Sequence, residues 1–321
     1  MTKIFKTNLS KIVTLIAVSI ILTVLFLFIG VKESNIGFFL PRRVTKLVAF
    51  LLISFTTAYS ATSFQTITNN NILTPSVMGL DSLYLFIQTV IVFFFGSKTL
   101  TMMTGTSNYF ISIGIMILSS LGLFSLLFKK KGRTVYFLLL TGMIFGSFFS
   151  GLSTFMQVLL DPNEFTLLQG KMFASFSSIN SSLLLISIII VVVISLALIG
   201  DFRKLDVLSL GKDQAINLGI NYKKIVLKNL IIIAIFTSVS TALVGPVAFL
   251  SIIITSLSRH LFQTYKHGVR VVGAALISFV FLIVAVLLVE RIFNFSTTPS
   301  VIINLIGGIY FIYLILKEGK K

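Results

Sequence analysis

Apolar runs of about twenty residues recur from one end of this sequence to the other, the first at 12–31, and that recurrence decides the fold class. A hydrocarbon core roughly 30 Å thick is matched by about 20 helical residues, and a backbone inside it must satisfy its own polar groups, as a helix does. The chain therefore reads as an all-α integral membrane protein. Its 321 residues are 56% hydrophobic and 11% charged, against about 25% charged in soluble domains. The formal charge of +17 lies between the apolar runs and not along one polar face, so it reads as a topological signal and not as a nucleic-acid surface.

About ten spans are expected in one transmembrane domain covering 1–321: 12–31, 44–63, a third opening at Thr74-Pro75, 109–128, 134–156, 181–200, 225–243, 247–258, 271–289, and a tenth opening at Thr298-Pro299. Thr74 is placed to cap the third helix, with Pro75 in its first turn. Lys3, Lys6 and Lys11 precede the first run and no small-x-small cleavage site follows it, so it reads as an uncleaved span entered from the cytoplasm. Lys129-Lys130-Lys131-Gly132-Arg133 marks a cytoplasmic loop, and the lysines at 317–321 place the C terminus on the same side. Segments 32–43, 97–108 and 161–170 become outer loops. The third and eighth spans are short and each is tied to a proline, the kind of broken segment that inverted-repeat transporters carry; spans two to five and seven to ten would be the two halves.

The longest polar interruption is 205–224. Leu205, Leu208, Ala215 and Leu218 recur there at helical spacing, and Gly211 and Gly219 are placed to bend or end short helices. Two short helices lying on the cytoplasmic surface would result. Such a segment can take force from a soluble partner and pass it to the helices on either side. In the fifth span, Gly142, Gly146 and Ser150 stand at steps of four, with Thr154 beside them; this small face would pack another helix closely or line a pathway for a bulky solute. Arg42, Arg43 and Arg291 run against the positive-inside bias, as lipid headgroup anchors or as a basic rim for an acidic delivery protein. Asp81 is the acidic residue well inside a span, either stabilised by the helix start at Pro75 or acting as a proton site.

Several chemistries are missing from the residues. There is no Cys, no G-x-x-x-x-G-K-[ST] loop, no H-E-x-x-H and no G-x-S-x-G. His260 and His267 stand in a basic loop with no carboxylate near in sequence, too few ligands for a metal site.

Three segments together resemble the FecCD/BtuC-type permeases of bacterial iron-siderophore and cobalamin ABC importers. The L-P-R, Gln, N-P-L-x-x-P-x-x-x-G pattern of that family is similar to Leu40-Pro41-Arg42, Gln65 and 71–79, with Ile72 in place of the first proline. Its L-G-x-x-x-A-x-x-L-G loop matches 210–219, and its G-P-I-x-F-x-G-L-x-x-P-H-x-x-R segment resembles 245–252 and Arg259-His260, with the usual proline before the His absent. The resemblance implies a BtuC-like subunit that pairs with a second permease, in a homo- or heterodimer, in the bacterial cell membrane. Two cytoplasmic ATPases, which use the ATP and Mg²⁺, and an external binding protein would complete the importer; this chain itself binds no cofactor and is no enzyme. It makes Leu210, Gly211, Asp213, Ala215, Leu218 and Gly219 the candidate ATPase-coupling residues, and Arg42 and Arg291 the docking residues, with Arg43 added by proximity. The wording of 70–81 is closest to the branch serving ferric siderophores, catecholate types in particular; haem, cobalamin, or proton-coupled transport through Asp81 are the alternatives.

Overall fold

The computed structural model describes residues 2–30, 35–102, 105–129, 135–176 and 179–318; among them there are helices and no strands. Lys32, the cluster Lys130-Lys131-Gly132-Arg133 and residues 319–321, used above for topology, lie outside the described residues. The helices are α1 (Thr2–Phe28), α2 (Ile36–Thr68), α3 (Leu80–Met102), α4 (Gly105–Lys129), α5 (Val135–Val158), α6 (Pro162–Met172), α7 (Ser181–Leu196), α8 (Asp201–Leu208), α9 (Lys212–Asn217), α10 (Tyr222–Val244), α11 (Ala248–Leu261), α12 (His267–Arg291) and α13 (Pro299–Glu318).

Six of these, in α1, α2, α4, α5, α10 and α12, are long and apolar enough to cross a membrane. The bent pair α7–α8 makes a seventh, and α3, α11 and α13 hold shorter apolar stretches. The protein is a multi-pass membrane protein.

Packing repeats across the two halves. As α3 packs on α5, so α11 packs on α13; as α12 packs on α2, so α4 packs on α10; and α1 touches α2 and α12 as α7 touches α10 and α4. The internal pairing expected for spans two to five and seven to ten is thus present in the contacts. α2 and α10 pack together, and between them the Tyr59 hydroxyl donates to Asn229 Oδ1, a buried polar link of the kind that holds helices together in lipid.

Several local expectations are corrected. Residues 36–43 are helical, not loop: Pro41 falls in the second turn of α2, where its missing N–H costs only the hydrogen bond to a first-turn carbonyl, and Thr45 Oγ1 donates to the Pro41 carbonyl at 2.9 Å. Pro75 opens a 3-10 turn, Pro75–Met78, and not the α-helix; Thr74 makes no side-chain cap, and Gly79 at φ +76° ends the turn before α3 starts. Residues 97–102 continue α3 beyond a kink at Gly96 (φ 74°, ψ 160°). The expected outer loop at 161–170 is α6, capped by Asp161, whose side chain accepts from the Asn163 amide at 2.9 Å, with Pro162 in the first turn. The sixth span stops at Leu196, because Gly200 at φ +84° turns the chain and α8 leaves at 71°.

Candidate functional site: the α8–α9 segment and the two ends of α2

The polar interruption folds as two short helices, α8 and α9, joined at Gly211. Gly211 has φ +101° and Gly219 has φ +82°, and an added Cβ would meet no neighbour at either, so it is backbone conformation and not crowding that calls for glycine. The segment starts at Asp201, four residues before its apolar pattern does. Asp201 is buried and pairs with Lys228 Nζ of α10 at 2.6 Å and Lys204 Nζ at 3.5 Å, which seats the first turn of α8 against α10.

Its apolar positions face two ways. Leu205, Leu208 and Ala215 are buried, whereas Leu210, Ile216 and Leu218 are 55, 48 and 62% exposed. Ala215 was expected to offer contact to a partner, but it faces the body of the protein because α9 lies on α10 and α8 by that side. Ile216 was not singled out from the sequence and stands on the outer side with Leu210 and Leu218. Gly211 is half-buried; Asp213 and Gly219 are exposed.

One carboxylate ties this segment to the transmembrane helices. Asp206 of α8 accepts from the His267 backbone N–H at 2.6 Å and from His267 Nδ1 at 2.7 Å, so Nδ1 carries the proton. The other ring nitrogen, Nε2, lies 2.6 Å from Thr66 Oγ1 near the end of α2. His267 is fully buried and links α8, α12 and α2; among the described residues no group of three His, Cys, Asp or Glu converges. Asp206 sits 61 residues from His267 in sequence, so local spacing could not reveal the pair. Beside it, Gln65 donates to Thr255 Oγ1 at 3.0 Å and accepts from Arg259 at 2.6 Å, joining α2 to α11.

At the far end of α2 the charged residues form a second cluster. Arg43 is buried and donates to the carbonyls of Phe26, Leu27 and Ile29, closing the C-terminal end of α1, where the helix dipole favours a cation. That corrects the rim expectation for Arg43: the guanidinium is turned inward. Lys46 pairs with Glu290 at 3.0 Å, with Arg43 at 3.8 Å from the same carboxylate. Arg42 is exposed with its guanidinium over the Phe38 ring, and Arg291 is exposed and donates to the Ile29 carbonyl. Antiparallel α2 and α12 are thus pinned to each other at both ends, by Thr66–His267 and by Lys46–Glu290.

The small face of α5 divides along its length. A Cβ on Gly142 would lie 2.8 Å from Met78 Cα, and one on Gly146 2.9 Å from Gly79 Cα, so these two glycines admit the 3-10 turn of their own chain. Ser150 and Thr154, a turn or two on, are exposed.

Residues 4–317 match the model of the FecCD transport family. The chain is 50% identical to the petrobactin import system permease protein YclO of Bacillus subtilis over 98% of this chain and 99% of that one. It is 36% identical to the petrobactin import system permease protein FatC of Bacillus anthracis over 86% of this chain and 78% of the other. Among solved structures, a metal-chelate type ABC transporter in an inward-facing conformation superposes with a TM-score of 0.77 at 21% identity, covering 97% of this chain and 99% of the other, which is a likeness of fold. With a family match across nearly its whole length, the protein is a transport component and not an enzyme: it belongs to the FecCD transport family.

Proposed function

We propose that this chain is a permease subunit of an ATP-driven importer that carries a ferric siderophore into the cytoplasm, of the catecholate class to which petrobactin belongs. The observation that carries this reading is the 50% identity, end to end, to a petrobactin import permease. In this reading the α8–α9 side is cytoplasmic, both termini are cytoplasmic, and a second permease, two ATPases and an external binding protein complete the assembly.

The geometry supports a mechanism in named parts. Leu210, Ile216 and Leu218 form an apolar tip on an otherwise polar segment, suited to a groove on an ATPase. Movement of that tip reaches α12 through Asp206–His267, α2 through Thr66, and α10 through Asp201–Lys228. Exposed Arg42 and Arg291 at the far end would receive carboxylates of the binding protein. Ser150 and Thr154 would face the second permease or the pathway. The test is growth of a deletion strain on single iron sources, with radioiron uptake from ferric petrobactin. Uptake that stops with the deletion and returns with the gene is expected. Unchanged petrobactin use with loss of haem or cobalamin use would reassign the cargo.

A further inference from the structure

A small cavity lies between α2 and α10 beside the two chain breaks, at Pro75 and Val247. Its volume is about 20 Å³, enough for one water-sized occupant. Its polar wall consists of Thr56, Thr57, Ser60, Ser76, Thr237, Ser240, Thr241, Ser251 and the carboxylate of Asp81.

The polar wall is built from oxygens and carries no fixed positive charge, and the Asp81 carboxyl takes a hydrogen bond from Ser76. Thr56 Oγ1 already gives its proton to the Leu52 and Ile53 carbonyls at 3.0 and 3.1 Å, and Ser240 Oγ gives its proton to Phe236 and Thr237 at 2.8 and 3.1 Å. Those hydroxyls have only lone pairs left for the cavity. Ser60 Oγ and Asp81 Oδ2 are shut off from solvent and have no hydrogen-bond partner. No Lys, Arg or His lines the cavity, and none of the ion pairs among the described residues involves Asp81. An ionised carboxylate in that setting lacks a counter-charge, which in a membrane interior is costly. One carboxylate plus neutral oxygens calls for a single positive charge; a divalent ion would find too little negative charge, and an anion would be repelled by the carboxylate.

We propose that this cavity binds one small monovalent cation, held by Asp81 Oδ2 with hydroxyl oxygens of Thr56, Ser60 and Ser240. The ion bridges the Pro75 break to the α2–α10 contact, and so fixes the 3-10 turn against which Gly142 and Gly146 pack. The site is separate from any cargo and stands whichever chelate the chain carries.

The test uses the full-length detergent-purified chain, with Tm measured against NaCl, KCl and choline chloride at equal ionic strength. Sodium or potassium should raise Tm by roughly 2 °C or more over choline, saturably. Asp81→Asn should abolish that difference, and Ser60→Ala should raise the salt concentration at half-effect several-fold. Equal Tm in all three salts would overturn the site. So would an undiminished ion response in Asp81→Asn, or a half-effect unchanged by Ser60→Ala, which also decides the matter should Asp81→Asn fail to fold.

Discussion

Asp206 and His267 meet twice, through the backbone N–H of His267 at 2.6 Å and its Nδ1 at 2.7 Å, so that one carboxylate fixes both the start of α12 and the orientation of the ring. Loss of a partner here strands a buried polar group, at a cost of about 1–3 kcal/mol. Asp206→Ala should loosen α8 from α12 while leaving the membrane core packed. In proteoliposomes with the ATPase partners, hydrolysis should continue while transport per ATP falls by about tenfold or more; tight coupling in the variant would remove Asp206 from the force path.

Gly211 and Gly219 should be intolerant for reasons of backbone alone. With open space around each Cβ position, Gly211→Val or Gly219→Val costs roughly 1–2 kcal/mol through the left-handed φ, confined to the coupling segment. Membrane insertion should be normal by protease mapping. Co-purification of the ATPase should decline.

The two ends of the small face on α5 should separate cleanly. Gly146→Val drives a side chain into the 3-10 turn and should lower stability by about 1–3 kcal/mol, read as a drop in Tm. Ser150→Ala and Thr154→Ala should stay within about 0.5 kcal/mol of the parent and alter only uptake or permease pairing.

The outer arginines should sort in the same way. Arg43→Ala takes this donor from the Phe26 and Leu27 carbonyls at the end of α1, leaves Ile29 to Arg291, and leaves Glu290 with Lys46 alone, so thermal stability should fall. Arg42→Glu and Arg291→Glu should keep stability near the parent and weaken capture of the binding protein, measured by immobilised-complex binding.

Long helices were legible because twenty apolar residues in lipid have few alternatives, and the two-helix form of the coupling segment was legible because Gly211 and Gly219 interrupt a 3.6-residue pattern. Pairings across the chain were not. Arg43 and Arg291 look alike as exposed-end cations in sequence, yet the carbonyl end of α1 captures the first deep inside. Likewise Ala215 shares the spacing of Leu218, but six residues of α9 bury only one side. The α6 cap is legible in Asp161-Pro162-Asn163-Glu164, which carries the start signals of a helix inside a polar stretch that otherwise resembles a loop.

Between Lys46 and Thr66, α2 runs without a break, about 30 Å at 1.5 Å per residue, and α12 is fastened to it at each extremity. Pro41 falls beyond the upper fastening, so no hinge interrupts the stretch between. Because both fastenings act on one continuous helix, a displacement of α12 against α2 at Thr66 must strain the Lys46–Glu290 pair as well.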